Sequence, residues 1–358
     1  SEGCERGFSV MINEFIVENQ AYFDQFNEHT KEGFVDVRGY IKNAPNTFIF
    51  QFVGERNCGK SYSTEHFIHD ICEMGYEFIY LRRIKDRELK KAKDKLFNCV
   101  EDSKIICDGF DYYWNENGVK RHCGYAIPLS GAPKGMEFPD VKVIYFDEYT
   151  ITDKSEHYLP GEFITWAKFY ETVTRRRKDV ITIMCGNAYD FYNPYSLGWG
   201  INLGQEQKRF TSANKLIKYN LVEVNNVELK RSNTVAGQLF AGTEYDKSSN
   251  NEFIANTDDN VRKKSSNARY WCTIISGGEE FTTWIDGQDI YVSKDKGTNI
   301  ARFTMDKTNT SGRQTLFQRQ NNQIAMIRYA GINGTLFYES QKVKSEFREI
   351  LEVILRYV

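Results

Sequence analysis

The sequence lacks several features that would assign it to common protein classes. It has no long uncharged apolar run and a mean hydropathy of -0.57, so no transmembrane helix is expected. Its eight cysteines form no C-x-x-C pair, which argues against a zinc site and for a reducing, intracellular compartment. The net charge is only -2, so the basic excess common among nucleic-acid binders is missing. All five histidines lie within the first 157 residues, which removes histidine chemistry from the C-terminal half.

Proline is also missing from a large part of the chain. All six prolines lie at or before Pro194, and the glycine-rich stretch Gly198-Trp199-Gly200 follows. This change in composition predicts a boundary near 195–210, and a length of 358 residues favours two domains. We expect an N-terminal domain over 1–200, a linker region over 201–265 and a smaller C-terminal domain over 266–358.

One motif stands out in what the sequence does contain. Residues 54–61 read G-E-R-N-C-G-K-S and match G-x-x-x-x-G-K-[ST], the loop that binds nucleotide phosphates. An apolar run over 47–53 precedes the loop and a helical pattern over 61–74 follows, which is the arrangement that this chemistry needs. We expect Lys60 to reach the β/γ-phosphates and Ser61 to complete a Mg²⁺ shell. The residues expected to bind the nucleotide are Gly54, Glu55, Arg56, Asn57, Cys58, Gly59, Lys60, Ser61 and Tyr62.

A second motif supports the first. The apolar stretch 141–146 reads as a buried strand and ends in Asp147-Glu148. Asp147 is expected to hold the Mg²⁺ water shell, and Glu148 to polarise the attacking water as a general base. Alone, this pattern would favour a solvated acidic turn, but the phosphate loop upstream favours the catalytic interpretation. A G protein is disfavoured because no N-K-x-D motif occurs.

The spacing of apolar segments predicts an α/β fold. Strands alternate with helices through the first half of the chain, which implies a parallel sheet covered on both faces. A hairpin is expected around Asn117-Gly118. The second half reads as α+β, with an antiparallel meander and a C-terminal amphipathic helix over 342–357. The predicted strands are 47–53, 76–81, 141–146 and 180–185, the helices are 61–74, 86–98 and 162–175, and the meander strands are 270–276, 280–285 and 289–293.

Two further groups extend the predicted site. Asn187 follows the strand 180–185, where it is expected to contact the γ-phosphate or the attacking water; the alternative is an ordinary turn residue. Arg175, Arg176 and Arg177 end the helix 162–175. One of them is expected to act on a neighbouring subunit's nucleotide, the alternative being solvated arginines that suit the helix dipole.

Together these motifs resemble the DNA-packaging ATPases of small phi29-like tailed bacteriophages, in the FtsK/HerA branch of the ASCE P-loop ring motors. The resemblance covers roughly 45–195 and implies a P-loop NTPase fold that uses ATP and Mg²⁺. The motifs that carry it are G-E-R-N-C-G-K-S at 54–61, Y-L-R-R-I-K at 80–85, I-Y-F-D-E at 144–148, T-R-R-R at 174–177 and M-C-G-N at 184–187.

The resemblance also implies residue roles. Arg175 matches the trans-acting finger, with Arg176 as the alternate, and Lys85 matches a second basic residue offered to the neighbour. Asn187 matches the sensor that couples hydrolysis to motion, and Lys154 lies where the family has a pore loop. The candidates for gripping DNA phosphates are Lys120, Arg121, Lys134 and Lys154.

As a family member, the chain would form a homomeric ring, typically a pentamer, at the portal vertex of a procapsid in the host cell cytoplasm. It would pump double-stranded DNA inward, with the portal protein as its partner. Whether a packaging RNA also takes part is left open. Larger phages carry an RNase H-like nuclease in the C-terminal region. Because 270–275 contains no acid and Asp286, Asp289 and Asp295 lie in turns or at strand ends, we expect an inactive docking domain here.

Two other functions fit the same motifs. A helicase or another ATP-driven nucleic-acid translocase would unwind or move nucleic acid without a capsid. A P-loop nucleotide kinase would need an acceptor pocket and no arginine from a neighbour, so inactive subunits mixed into it would leave its rate per site unchanged.

Overall fold

The computed structural model describes residues 11–132, 135–152, 156–201, 208–243, 246, 260–298, 300–305, 315–316 and 321–356. The chain divides into two compact units, Ser1–Ala255 and Asn256–Val358. Two hydrophobic clusters lie in the first unit and one lies in the second. In the part of the chain so described, no helix has the length and apolarity that crossing a membrane requires.

The first unit is built on a single sheet of nine strands, counted over the described residues. The strands are β1 Ile49–Gly54, β2 Glu77–Arg82, β3 Ile105–Asp108, β4 Asp111–Glu116, β5 Val119–Pro128, β6 Val141–Asp147, β7 Ile181–Gly186, β8 Arg209–Thr211 and β9 Ile217–Val222. Their order across the sheet is β3-β4-β5-β2-β6-β7-β1-β9-β8. The run from β5 to β9 is parallel, and β3, β4 and β8 pair antiparallel. The carboxyl ends of β1, β6 and β7 therefore lie at one edge of the sheet.

Helices cover both faces of this sheet. Alternate residues of β1 point to opposite faces, so Phe50 and Phe52 join one hydrophobic cluster while Ile49 joins the other. The helix that follows β1 packs its buried stripe on the first face, and the helix that follows β6 packs on the second. The described helices of this unit are α1 Glu14–Glu18, α2 Gln20–Phe23, α3 Val37–Lys42, α4 Lys60–Glu73, α5 Lys90–Ala92, α6 Glu162–Thr174, α7 Pro194–Gly198 and α8 Val235–Leu239.

The four predicted strands, the hairpin and two of the three predicted helices are confirmed, and the predicted parallel sheet also includes antiparallel strands at its two edges. The hairpin strand β5 joins the sheet beside β2 and brings antiparallel β4 and β3 with it. The predicted boundary near 200 also falls inside the sheet. Strand β9 pairs with β1, and Val222 contacts Gly54 so closely that a Cβ on that glycine would lie 2.3 Å from the Val222 carbonyl oxygen.

The helix predicted over 86–98 is wrong in its extent. The structure has a π-helical turn at Lys85–Leu89, the short helix α5 and a 3-10 turn at Lys93–Lys95. Phe97 then adopts a left-handed backbone with φ 74° and is buried. Its amide donates to the Glu65 carboxylate at 2.8 Å, so a side chain of α4 captures the N–H that a longer helix would use.

A buried ion pair joins Arg83, the residue that follows β2, to Glu162 of α6. The Arg83 Nε atom donates to Glu162 Oε2 at 2.8 Å, and both side chains are almost completely buried. Tyr195 donates to the other oxygen of Glu162, and Arg83 also donates to the Tyr149 carbonyl. This network fixes the segment that follows the Asp147-Glu148 pair against the helix that covers it.

We expect Glu162→Ala to lower the free energy of unfolding of the first unit by about 3–5 kcal/mol, because the Arg83 charge is left buried without its partner. Urea denaturation of the wild-type chain and the variant measures this difference. Glu171→Ala removes an exposed acid from the same helix and is the matched control, expected to change stability by about 0.5 kcal/mol or less. Equal losses in the two variants would contradict the role of the ion pair.

Over its described residues the second unit combines a mixed sheet with two helices, α9 Asn322–Asn333 and α10 Gln341–Arg356. Its strands are β10 Arg269–Ser276, β11 Glu279–Asp286, β12 Asp289–Ser293, β13 Arg302–Thr304, β14 Thr315–Leu316 and β15 Leu336–Tyr338. The order is β14-β13-β10-β11-β12-β15, with β10-β11-β12 antiparallel and the other pairs parallel. The predicted meander and C-terminal helix are thus confirmed. Ile327 of α9 and Phe347 of α10 are fully buried against this sheet.

Three acids that lie at or near strand ends of the second unit pair with basic side chains. Asp286 is only 6% exposed and pairs with Arg262 at 2.9 Å, and Asp289 shares the same guanidinium. The Ser265 hydroxyl outweighs desolvation and, with Arg262, lowers the pKa of Asp286. Asp295 pairs with Lys264. Within the described residues no group of three or more His, Cys, Asp or Glu could hold a metal, and the lack of nuclease activity stays a prediction.

Candidate active site

The phosphate-loop motif lies between β1 and α4, as its sequence predicts. Gly59 has φ +105°, and a Cβ there would stand 2.8 Å from the Val35 carbonyl oxygen. Only glycine tolerates both the backbone angle and that contact. Gly54 packs closely against Val222. Backbone packing therefore requires glycine at both fixed glycine positions of the motif, Gly54 and Gly59.

Lys60 is buried against its own loop. Its ammonium donates to the Gly54 and Glu55 carbonyls at 2.9 and 2.7 Å and contacts Cys58 Sγ at 3.3 Å. The Glu55 carboxylate accepts from the Val224 amide at 2.7 Å, which ties the loop to the segment after β9. Glu55 is therefore a structural member of the loop, and its predicted contact with a nucleotide stays a prediction.

A cavity of about 890 Å³ brings the predicted site together at the carboxyl edge of the sheet. It joins the loop to both acids of the Asp-Glu pair and to the predicted sensor Asn187. Such a volume suits a small-molecule ligand of nucleotide size. The lining residues are Thr30, Glu32, Phe34, Val35, Arg56, Asn57, Cys58, Gly59, Lys60, Ser61, Tyr62, Asp147, Glu148, Cys185, Gly186 and Asn187.

Arg82 is a site residue that the sequence analysis left without a role. Its Nη2 atom contacts Asp147 Oδ2 at 2.8 Å, and its Nη1 atom pairs with Glu148 Oε2. Tyr80, two residues earlier on β2, donates to Asp147 Oδ2 at 3.1 Å and accepts from Arg82 Nε. The only available signal was a basic residue at the carboxyl end of a predicted strand. That β2 lies next to β6 is a fact of topology that no motif contains.

These contacts set the charge state of the site. Burial opposes the charge on Arg82, but the carboxylates of Asp147 and Glu148 outweigh it and raise the pKa of the guanidinium above its usual value. Burial, together with the Asp147 carboxylate, raises the pKa of the Cys185 thiol to about 12. Cys185 therefore stays protonated near neutral pH and does not act as a nucleophile.

The backbone turns sharply as it leaves β6. Glu148 has φ +52°, a left-handed angle that costs a non-glycine residue about 1–2 kcal/mol. The next amide, of Tyr149, donates to the Cys185 carbonyl at 3.1 Å and holds the turn against β7. The Thr150 hydroxyl bonds both the amide and the carbonyl of Asn187 at 3.0 Å. Glu148 and Asn187 are thus fixed on neighbouring strand ends.

The residues present fit a magnesium ion. Mg²⁺ prefers oxygen ligands and keeps several waters, so one hydroxyl and one carboxylate are enough protein ligands. Ser61 and Asp147 both line the cavity. The contacts of Arg82 and Tyr80 both fall on Asp147 Oδ2, so in the described part of the chain Oδ1 remains available to a metal-bound water.

Lys85, Arg175 and Arg176 do not line this cavity. Lys85 is exposed, with its ammonium 4.9 Å from the Phe110 ring centroid. Arg175 is exposed and contacts Glu137 at 2.8 Å. It precedes β7 while Glu137 precedes β6, which places both at the amino edge of the sheet. Strand β6 has seven residues, so this edge is about 20 Å from the phosphate loop.

The three arginines differ in their surroundings. Arg177 donates to the carbonyls of Phe138 and Val141 at 2.5 and 2.7 Å and pairs with Asp179. It anchors the entry of β6 and is structural. Arg175 and Arg176 are the exposed pair, in agreement with the preference for these two as the trans-acting group.

The four residues predicted to contact DNA differ in their surroundings. Lys120 is exposed on the β4–β5 hairpin, 6.0 Å from the Tyr113 ring. Arg121 donates to the Cys72 carbonyl at the end of α4, so its guanidinium already has a partner within the chain. Lys134 and Lys154 lie outside the described residues. The DNA-binding role of all four stays a prediction.

Comparison with known proteins shows the family to which the chain belongs. The family model of the podovirus DNA encapsidation protein (Gp16) matches residues 42–354. The DNA packaging protein of Bacillus phage B103 is 30% identical over 313 residues, which are 83% of this chain and 94% of that protein. The DNA packaging protein of Bacillus phage phi29 is 28% identical over 311 residues, 83% of this chain and 91% of that protein.

Solved structures agree as well. The bacteriophage Phi-29 viral genome packaging motor assembly matches with a TM-score of 0.63 and 26% identity, over 86% of this chain and 96% of that chain. The Phi-28 gp11 DNA packaging motor shares the fold, with a TM-score of 0.62 and 20% identity over 87% of this chain and 95% of that chain. This chain, with its mixed α/β architecture and large parallel-containing sheet, belongs to the podovirus DNA encapsidation protein (Gp16) family.

Proposed function

We propose that this chain is the ATP-hydrolysing subunit of a ring motor that drives double-stranded viral DNA into a preformed procapsid, with Mg²⁺ as its metal cofactor. The observation that carries the proposal is the single cavity that joins Lys60, Ser61, Asp147, Glu148 and Asn187 in a member of the DNA encapsidation family. If the glycine-rich loop and the Asp147-Glu148 turn had no shared function, nothing would require them to line the same cavity.

Each residue then has a chemical task. The loop amides and Lys60 bind the β- and γ-phosphates, and Ser61 and Asp147 would hold the magnesium ion. When bound, Mg²⁺ neutralises charge that develops on the transferred phosphoryl group. Glu148 accepts a proton from the attacking water, and Arg82 holds its carboxylate in place from β2. Asn187 contacts the γ-phosphate or that water.

The finer fold assignment is part of the proposal. In the first unit β7 lies between the phosphate-loop strand β1 and the acidic strand β6, which supports the ASCE class of P-loop NTPases. In the second unit the strands β10, β11 and β12 form an antiparallel meander, and β13 pairs parallel with β10. This arrangement supports an RNase H-like fold. The pairing of Asp286, Asp289 and Asp295 with basic side chains supports the loss of nuclease activity and a docking role.

We place the active assembly in a homo-oligomeric ring, of five subunits by family resemblance. Arg175, Arg176 and Lys85 lie away from the cavity of their own chain and are exposed, as residues that serve a neighbour would be. The ring would sit at the portal vertex of the procapsid in the host cell cytoplasm, with the portal protein as partner; whether a packaging RNA takes part is left open.

We expect double-stranded DNA to stimulate ATP turnover by the chain, because DNA phosphates bound in the pore would favour the closed, active arrangement of subunits. The stimulation should not depend on sequence and should weaken as salt rises, since a phosphate grip releases counterions. Steady-state ATP hydrolysis with and without duplex DNA, at two salt concentrations, measures this effect. If DNA does not change the rate of ATP hydrolysis, the motor function is contradicted and a nucleotide kinase is favoured.

A further inference from the structure

One wall of the cavity has no part in the phosphate chemistry. Residues 29–35 fold into a tight hairpin, in which the Thr30 amide donates to the Phe34 carbonyl at 2.8 Å and the Gly33 amide donates to Thr30. This hairpin carries Thr30, Glu32 and Phe34 to the cavity. It precedes the phosphate loop in sequence and contains no recognised motif.

The hairpin is fixed rigidly to the site. The Val35 amide donates to the Cys58 carbonyl of the phosphate loop at 2.7 Å. On its other side the Gly33 carbonyl accepts from the Asn225 amide at 2.9 Å. The wall is therefore tied both to the loop that would hold phosphates and to the segment after β9, and its position is preformed.

Two aromatic residues, Phe34 of the hairpin and Tyr62 of α4, line this cavity. Phe34 is half-buried and its Cβ lies 3.1 Å from where a Cβ on Gly59 would stand, so it borders the loop directly. Tyr62 follows Ser61 on α4, is 55% exposed and has its ring 4.1 Å from that of His66. Both residues line the same cavity as Asp147 and Glu148.

We propose that Phe34 and Tyr62 form the nucleobase site of the nucleotide, contacting the base by ring stacking; this inference rests on the proposed nucleotide-binding function. A nucleotide anchored by its phosphates at the loop extends beyond them by a sugar and a base. Every nucleobase presents a π-face, and stacking on aromatic side chains is a common source of affinity for it. Among the described residues that line this cavity, Phe34 and Tyr62 are the aromatic ones.

Binding of ADP and of inorganic pyrophosphate, each with Mg²⁺, tests the proposal by calorimetry on the whole chain. Phe34→Leu keeps an apolar side chain against the core and removes the ring. It should weaken ADP binding roughly five- to hundredfold and leave pyrophosphate binding unchanged. Tyr62→Ala should also weaken ADP binding. Phe34→Trp keeps an aromatic ring and, unlike Phe34→Leu, should bind ADP with about the wild-type affinity. Tyr329→Ala removes an exposed ring from α9 and should change neither affinity.

Three results would overturn the proposal. ADP binding by Phe34→Leu at the wild-type affinity would show that the ring does not contact the base. Equal loss of ADP and pyrophosphate binding would show that Phe34 only supports the phosphate loop. A wild-type chain that binds neither ligand would remove the nucleotide function itself, and the base site with it.

Discussion

Replacing Glu148 with glutamine is expected to lower the rate of ATP hydrolysis by roughly 10²- to 10⁴-fold while leaving nucleotide binding intact. Glutamine has the same shape but its amide cannot accept the proton of the attacking water. The variant keeps an oxygen that can accept a hydrogen bond from Arg82, so the turn after β6 should retain its geometry. The effect should therefore appear in turnover and not in affinity.

Steady-state hydrolysis and equilibrium binding of ATP, measured side by side, separate the two quantities. The matched control is Glu171→Gln, which makes the same change at an exposed position on α6 and should leave turnover as in the wild type. Retention of activity by the Glu148 variant would assign the base to another group. Equal loss of binding and turnover would point instead to a collapsed site.

Removing Arg175 is expected to lower hydrolysis about 10³-fold or more, because a trans-acting arginine neutralises charge on the transferred phosphoryl group. The side chain lies at the amino edge of the sheet, about 20 Å from the phosphate loop of its own chain, so it cannot reach its own nucleotide. A loss of this size from Arg175→Ala would place the residue in a neighbour's site.

Mixing two inactive variants tests this directly. Arg175→Ala keeps its phosphate loop and lacks the arginine, while Lys60→Ala lacks the loop lysine and keeps the arginine. If the arginine acts in trans, mixed rings contain complete sites at some interfaces, and activity should return on mixing. Arg176→Ala tests the alternate residue in the same way. Absence of recovery in both mixtures would exclude a trans-acting role for this pair.

Arg177→Ala should behave differently from its neighbours. Its guanidinium bonds the Phe138 and Val141 carbonyls and Asp179 within its own chain, so its loss should reduce stability. The residues T-R-R-R by themselves left open which arginine acts in trans, and only the family resemblance preferred Arg175, with Arg176 as the alternate. The structure separates them because α6 ends at Thr174 and each following residue faces a different environment.

Local patterns predicted the secondary structure well and its arrangement less well. Strands β1, β2, β6 and β7 are mostly apolar and mostly buried, and such runs can be recognised in the sequence without knowing which strands lie next to them. The segment 86–98 has helical composition, yet Glu65 and Tyr112 bond its backbone and end the helix early. Those partners come from α4 and β4, so propensity within the segment could not foresee them.

The sequence by itself determined the phosphate loop, the Asp147-Glu148 pair and the position of Asn187. A phosphate is bound by consecutive backbone amides, and a strand that delivers acids to a sheet edge is a contiguous apolar run, so both signals are local in the chain. Only the tertiary structure decided that Arg82 holds both acids, that Phe34 borders the loop and that Arg175 lies at the far edge. These placements depend on strand order and on packing between distant segments, which no window of sequence contains.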